Sequence, residues 1–461
     1  MEFNATVVET PTPDGLRAVR SDYEIMLVSI LKAILDRHDA HPDYPFIDTK
    51  LNLITGEDFG ETGFKGRETV YGWIQGRGLE SLAGHVRWLP RCAVIAESER
   101  EDLVARTTAL LRMVFDKMEA VRARNGGHVS FAHATDGTAL ATDDTGRFRP
   151  TEVRTDACSI TDVFYAKGML AAASLLGIPE KVAEAAEYFG RCVADVKAER
   201  LYSDQQAFDP KNRVEPIPGR RSQAPWMLCL GGFPLFAKET GDSVWLERAA
   251  EFADHIVRRH VNQRQFTELQ LYDFVEAVDE AGRPWRDERG VLSDSGHALE
   301  FVGLAAKCML SIRKQSTLSD KQRDVLRTCA VLLPRVLVQN FGNGWNARAG
   351  GICKAFDLIS RKPINSDLPW WSLPETMRAA ALCHALASDQ AEKPSCLEIA
   401  AKCSNAFLTK FVNREVHLMA YQTRNENGEP IDVIPGTPDA DAGYHTGLSV
   451  MDFLDALGEP A

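Results

Sequence analysis

Apolar residues recur at helical spacing along almost the whole chain. The spacing predicts about twelve amphipathic helices, roughly 22–38, 70–89, 98–121, 158–175, 180–198, 222–240, 243–261, 296–314, 319–340, 370–388, 394–411 and 443–457. They fall into pairs. One member is rich in Ala, Gly, Cys and aromatic residues, as over 295–310 and 370–386, whereas its partner carries charges along one face, as over 181–199 and 320–335. The charged kind is what a helix with solvent behind it looks like. The apolar kind returns every ~75 residues, a long period that suggests helical hairpins repeated around a closed ring. Six inner and six outer helices predict an all-α fold, an (α/α)6 barrel.

Between the helices, 126–131 and 271–276 alternate in polarity and end near turn-forming residues, so they predict short hairpin strands, and 416–433 looks similar. At one end of a helical barrel such hairpins would wall the mouth of a pocket. No low-complexity linker divides the chain. Residues 1–20 read as a flexible N-terminal segment and 21–461 as a single catalytic domain.

Composition narrows the partners. The chain has 461 residues, of which 44% are hydrophobic, enough for a large core, and 53 basic residues stand against 65 acidic ones. A net charge of −12 argues against nucleic acid or an anionic membrane as the main partner. Neither a secretory leader nor a bilayer-spanning apolar stretch is visible. The ten cysteines form no Cys-x-x-Cys pair and lie mostly in apolar helical stretches, as reduced core thiols of a cytoplasmic protein would.

The densest candidate chemistry is Gly296-His297-Ala298-Leu299-Glu300, which sets an imidazole and a carboxylate three residues apart on a predicted helix, so that Glu300 could orient His297. Its company makes it informative. Tyr71-Gly72-Trp73-Ile74-Gln75-Gly76-Arg77 lies upstream, Trp370-Trp371-Ser372-Leu373-Pro374-Glu375 downstream, and Tyr444-His445 near the end. Aromatic faces, an arginine, carboxylates and two histidines together suit a sugar.

In order along the chain, these motifs resemble those of the N-acylglucosamine 2-epimerase superfamily, which includes cellobiose 2-epimerases and mannose or sulfoquinovose aldose–ketose isomerases on an (α/α)6 barrel. Residues 71–77 resemble its Trp-x-Gln-Gly-Arg segment. Gly296 to Glu300 matches Gly-His-x-x-Glu, and Gly350-Gly351, Asp357 and Trp370-Trp371 with Glu375 match its Gly-Gly…Asp…Trp-Trp…Glu stretch. The resemblance implies proton transfer at sugar C2 by His297 and His445 through a cis-enediolate, with Arg77 stabilising the developing oxyanion and Glu300 orienting His297. It further implies Glu375, Trp371, Trp73, Tyr71 and Gln75 as substrate-binding residues, a small-molecule sugar substrate, neither cofactor nor metal, and a possible homodimer. The sixth predicted helix begins Gln223-Ala224-Pro225-Trp226-Met227, without the histidine of the isomerase and cellobiose-epimerase branches. Two other readings stay open. One is a glycoside hydrolase or lyase using carboxylates among Glu300, Asp357 and Glu375. The other is a non-catalytic sugar-binding relative.

Overall fold

The computed structural model describes residues 2–206, 208, 217–434 and 436–458. A single helical turn, α1 (Pro13–Arg17), precedes twelve longer helices among these residues: α2 (Arg20–Ala40), α3 (Gly72–Trp88), α4 (Glu97–Arg124), α5 (Ile160–Leu175), α6 (Pro179–Lys197), α7 (Ala224–Thr240), α8 (Val244–His260), α9 (Ser295–Arg313), α10 (Asp320–Gly344), α11 (Ser372–Leu386), α12 (Lys393–Ala406) and α13 (Ser449–Leu457). Each matches one predicted segment. The odd-numbered helices from α3 to α13 pack side by side, and the turn Tyr444–Leu448 leading into α13 closes the ring against α3. The even-numbered ones lie outside. The fold is the expected (α/α)6 barrel.

The two kinds of helix differ for the reason their sequences differ. Inner α5 is buried continuously from Thr161 to Ala173, and its start is fixed by a capping box in which Ser159 and Asp162 each accept from the other's backbone N–H. Outer α8 buries only one stripe, including Trp245, Ala249, Phe252 and Ile256. Neighbours α3 and α5 cross very closely. A Cβ at Gly168 would stand 2.2 Å from the Gly76 carbonyl oxygen, so both positions exclude a side chain.

Short antiparallel strands gather where the inner helices begin. Thr69–Tyr71 runs into α3, Arg221–Ser222 into α7, Gly290–Ser293 into α9 and Leu368–Pro369 into α11. The expected strands sit slightly elsewhere. Gly126 and Gly127 take positive φ, and the Gly127 N–H caps α4 at the Arg122 carbonyl, so the strand forms only at Ala132–Ala134, against Thr69–Tyr71. Likewise 271–276 contributes an isolated bridge at Phe274, and pairing resumes at Ala277–Val278. Within 416–433 the pair is Thr423–Arg424 with Leu368–Pro369.

Residues 2–20 of the segment read as flexible make defined contacts with the barrel. Asp22 accepts the backbone N–H groups of Asn4 and Thr6, both at 2.7 Å, and Asn405 accepts that of Val8 at 2.7 Å. Arg17 and Arg20 donate to the Leu457 and Gly458 carbonyls, each at 2.8 Å. Phe3, Ala5, Val8 and Leu16 are buried, and that apolar contact holds the segment to the barrel. The ten cysteines are all buried thiols. No helix among the described residues is long and apolar enough to cross a membrane.

Candidate active site

The first two turns of the inner helices surround a cavity at the strand-covered end. Trp73, Ile74 and Arg77 of α3 line it, with Ile160 and Phe164 of α5, Ala224, Met227 and Leu228 of α7, His297 and Glu300 of α9, then Trp370, Trp371 and His445. One wall is therefore apolar. The other carries the titratable groups, which Lys354, Asp439 and Asp441 extend.

His297 is the third residue of α9. Asp294 caps that helix, accepting the His297 N–H at 3.2 Å, and Gly296 leaves room for Trp371, whose ring would lie 2.7 Å from a Cβ there. The imidazole turns back toward the helix start, as side chains on a helix do, and its Nδ1 meets both carboxylate oxygens of Glu276 at 3.3 Å. Burial works against charge on this ring. The carboxylates of Asp294 and Glu276 outweigh it and lift His297 to about 9, so it is an imidazolium at neutral pH.

His445 enters from the other side. Asp441 accepts the backbone N–H groups of Tyr444 and Thr446, at 3.0 and 2.9 Å, and so anchors the turn that presents it. Its Nδ1 donates to Glu375 Oε1 at 2.9 Å, and the same oxygen accepts from Ser449 at 2.8 Å. Burial would protonate Glu375, but Arg378 and His445 hold its carboxyl below the ordinary range. Each histidine thus has a carboxylate on Nδ1, leaving Nε2 for other work. Their ring centroids lie 5.5 and 5.7 Å from that of Trp371, which sits between them.

Arg77 reaches this space from α3 with no ion-pair partner among the described residues. Its guanidinium is 4.1 Å from the Phe164 ring centroid, 5.2 Å from that of Tyr444 and 5.4 Å from that of Trp73, and its Nε is buried without an acceptor. Aromatic faces hold such a charge in place without neutralising it.

The sequence profile of the N-acylglucosamine 2-epimerase (GlcNAc 2-epimerase) family matches residues 150–446. The chain belongs to that family. By that membership it is an isomerase of the carbohydrate epimerase kind. A search of the curated proteins found no match. Among solved structures, the cellobiose 2-epimerase of Spirochaeta thermophila superposes with a TM-score of 0.61 at 15% identity, over 96% of this chain and 98% of that one. A D-mannose isomerase gives 0.59 at 14% identity, over 92% and 97%. A sugar epimerase from a ruminal bacterium gives 0.60 at 13%, over 89% and 92%. At these identities the likeness is one of fold.

In this family member the cavity gathers His297, His445, Arg77, Glu300, Trp73 and Trp371. Four of the implied residues meet a different geometry. Glu300 makes no hydrogen bond to His297 among the described residues; it lies instead within 4.8 Å of ligand-capable atoms of Glu375 and His445. Burial and the Glu375 charge push its carboxyl up. Tyr71 points away from the cavity into Phe131, Phe148 and Phe208, and its hydroxyl donates to the Phe64 carbonyl at 2.6 Å. Gln75, on the same averted face, clamps the loop at Ile47 by accepting its N–H at 2.9 Å and donating to its carbonyl at 3.2 Å. Both are framework residues. Glu375 binds a histidine from behind and does not line the cavity.

Sequence reasoning missed Glu276, Asp294 and Lys354. Lys354 Nζ contacts Asp294 at 2.7 Å and sits 5.5 Å from the Trp371 ring centroid. The signal for Asp294 was its place as an N-cap three residues before His297; for Glu276 it was the end of an alternating run. Two clusters among the described residues bring together donors that suit a cation. In one, Asp162 already serves His128, Tyr188 and the Val129 and Ser159 amides. In the other, Glu375 is committed to Arg378, Ser449 and His445.

Proposed function

We propose that this protein interconverts a sugar with its C2 epimer or its ketose by two-histidine proton transfer. The observation that carries the reading is the paired arrangement of His297 and His445 about Trp371, each with a carboxylate on Nδ1 and with Arg77 in the same cavity.

The charges suggest the order of events. The His445 imidazole, held by Glu375, takes the proton from C2 of the open-chain aldose. The C–H electron pair becomes the C1–C2 double bond, and the carbonyl pair moves to O1, where the unpaired Arg77 guanidinium meets the oxyanion. His297, charged at neutral pH, then returns a proton. Delivery to the opposite face of C2, with O1 again the carbonyl, gives the epimer; delivery to C1, with the O2 proton passing to O1 as the C2 carbonyl forms, gives the ketose. No electrons leave or enter. Trp371 offers the C–H face of the sugar an apolar surface.

A hydrolase would need two carboxylates flanking a glycosidic bond. Asp357 is spent on the Val291, Ile359 and Ser360 amides, and Glu375 is tied to Arg378 and His445. Of the three carboxylates named for that reading only Glu300 lines the cavity, and of its other acidic residues Asp439 is held by Lys50 and Thr49 and Asp441 by the closing turn. Solved relatives in fold are named as acting on mannose and cellobiose, so those sugars lead the test. In D2O, proton NMR with mannose, cellobiose, glucose, fructose, N-acetylglucosamine and N-acetylmannosamine should show deuterium at C2 of at least one, with a new epimer or ketose. Disaccharide cleavage without exchange would move the hydrolase reading ahead.

A further inference from the structure

Arg378 lies on α11, one turn beyond Glu375, and does not line the sugar cavity. Its Nη2 pairs with Glu375, while Nη1 stands 4.0 Å from Asp452, which in turn holds Lys307 Nζ at 2.7 Å. Arg378, Asp452 and Lys307 line a second cavity, further along the inner helices and away from the sugar site. A chain of charges therefore runs from His445 through Glu375 and Arg378 toward the back of the barrel.

The neighbours of Glu375 make that chain consequential. From α9 it faces Glu300, within 4.8 Å, and the imidazolium of His297 lies beyond; from the closing turn and α13 it faces His445 and Ser449; from its own helix, Arg378, which has Asp452 and Tyr444 as its further charged or titratable neighbours. Two buried carboxyl groups this close compete for one proton. If Glu375 took it, the hydrogen bond to His445 Nδ1 would lose its charged acceptor, and the ring would be free to adopt its other tautomer. Arg378 on Oε2 decides the contest in favour of Glu300 carrying the proton.

On the two-histidine reading above, we propose that Arg378 is a positioning residue: by pinning Glu375 as an ionised acceptor it keeps His445 in the Nδ1–H tautomer and leaves the Nε2 lone pair for the C2 proton.

The test reads the ring nitrogens of full-length protein labelled with 15N-histidine, without sugar. His445→Asn assigns the signals. His260, whose Nδ1 meets the Val275 carbonyl at 3.0 Å, is the reference for intact folding. Wild-type His445 is expected as the Nδ1–H form, and Arg378→Met should lose that form as the major one while His260 stays unchanged. A wild-type His445 ring in Arg378→Met overturns the proposal. Should the Met variant fail to fold, Arg378→Lys decides, since it keeps the charge: the Nδ1–H form supports the proposal and the Nε2–H form defeats it. Where the wild type turns over a sugar, Arg378→Met should lose about tenfold or more in kcat with KM little changed. A tautomer that shifts in a protein inert toward every sugar keeps the positioning role and sinks the epimerase reading; exchange at C2 with an unmoved tautomer does the reverse.

Discussion

Glu276, from the loop before α9, stands behind His297 with both carboxylate oxygens 3.3 Å from Nδ1. The Glu300 of the same helix does not. Replacing Glu276 by Gln removes the charge and keeps the shape, and kcat for C2 exchange should fall about a hundredfold. Glu300→Gln, which leaves the Nδ1 partner in place, should fall less. Steady-state rates of the two variants on one sugar settle the ranking, and equal losses would return the orienting role to Glu300.

A raised His297 has a defined pH signature. Its folded-state value of about 9 exceeds the ordinary 6.5, so its contribution to stability is complete below pH 6.5 and is lost as pH rises through 9. As the proposed acid it should impose an alkaline limb near pH 9 on kcat/KM. Glu276→Gln should draw that limb toward neutrality. A limb that stays put in this variant would show that the acid is another group.

Among the described residues Arg77 meets only aromatic faces, so its charge is available to substrate. Arg77→Met should leave the melting temperature near wild type and lower kcat/KM by about a hundredfold to a thousandfold. Arg77→Lys should recover little, because an ammonium cannot stack flat between Phe164 and Tyr444. Full activity in the Lys variant would argue for a simple point charge.

Trp73 and Gln75 are neighbours in sequence with opposite duties. Gln75→Leu leaves both polar groups of the Ile47 backbone unpaired in a buried place, costing about 1–3 kcal/mol for each. Its effect should appear in thermal unfolding, with KM almost unchanged. Trp73→Ala, at the cavity wall, should raise KM. The reverse pattern would restore Gln75 as a binding residue.

The α3–α5 crossing can be probed at Gly168. Alanine in a helix ordinarily gains up to about 1 kcal/mol over glycine. Here the new Cβ would sit 2.2 Å from the Gly76 carbonyl, which is backbone and cannot swing aside. Gly168→Ala should therefore destabilise by about 1–3 kcal/mol. A higher melting temperature would mean that the helices separate at no cost.

The barrel was legible in the sequence because twelve amphipathic segments alternate between two kinds, and inner and outer positions impose different periodicities. The residues lining the cavity were legible where a motif carried them: His297, His445, Arg77 and Trp371. What stayed hidden were relations between segments. Glu276 and His297 are 21 positions apart, and His445 and Glu375 are 70, so no local spacing announces either pair. Tyr71 and Gln75 failed for a local reason. They share a short motif with Trp73 and Arg77, but the helix sends them to its opposite face.

Closing the ring through Tyr444–Leu448 against α3 joins positions about 360 residues apart. Such contacts form late, since a long intervening stretch must already be ordered. A chain emerging from the ribosome carries Arg77 first, His297 later and His445 last of the three. Until that last turn docks, the proposed proton-transfer pair lacks one of its two imidazoles, so on that reading competence arrives with closure and not gradually. On the same reading, chains that have most of their helices but not that turn would be incapable of starting an enediolate they could not finish.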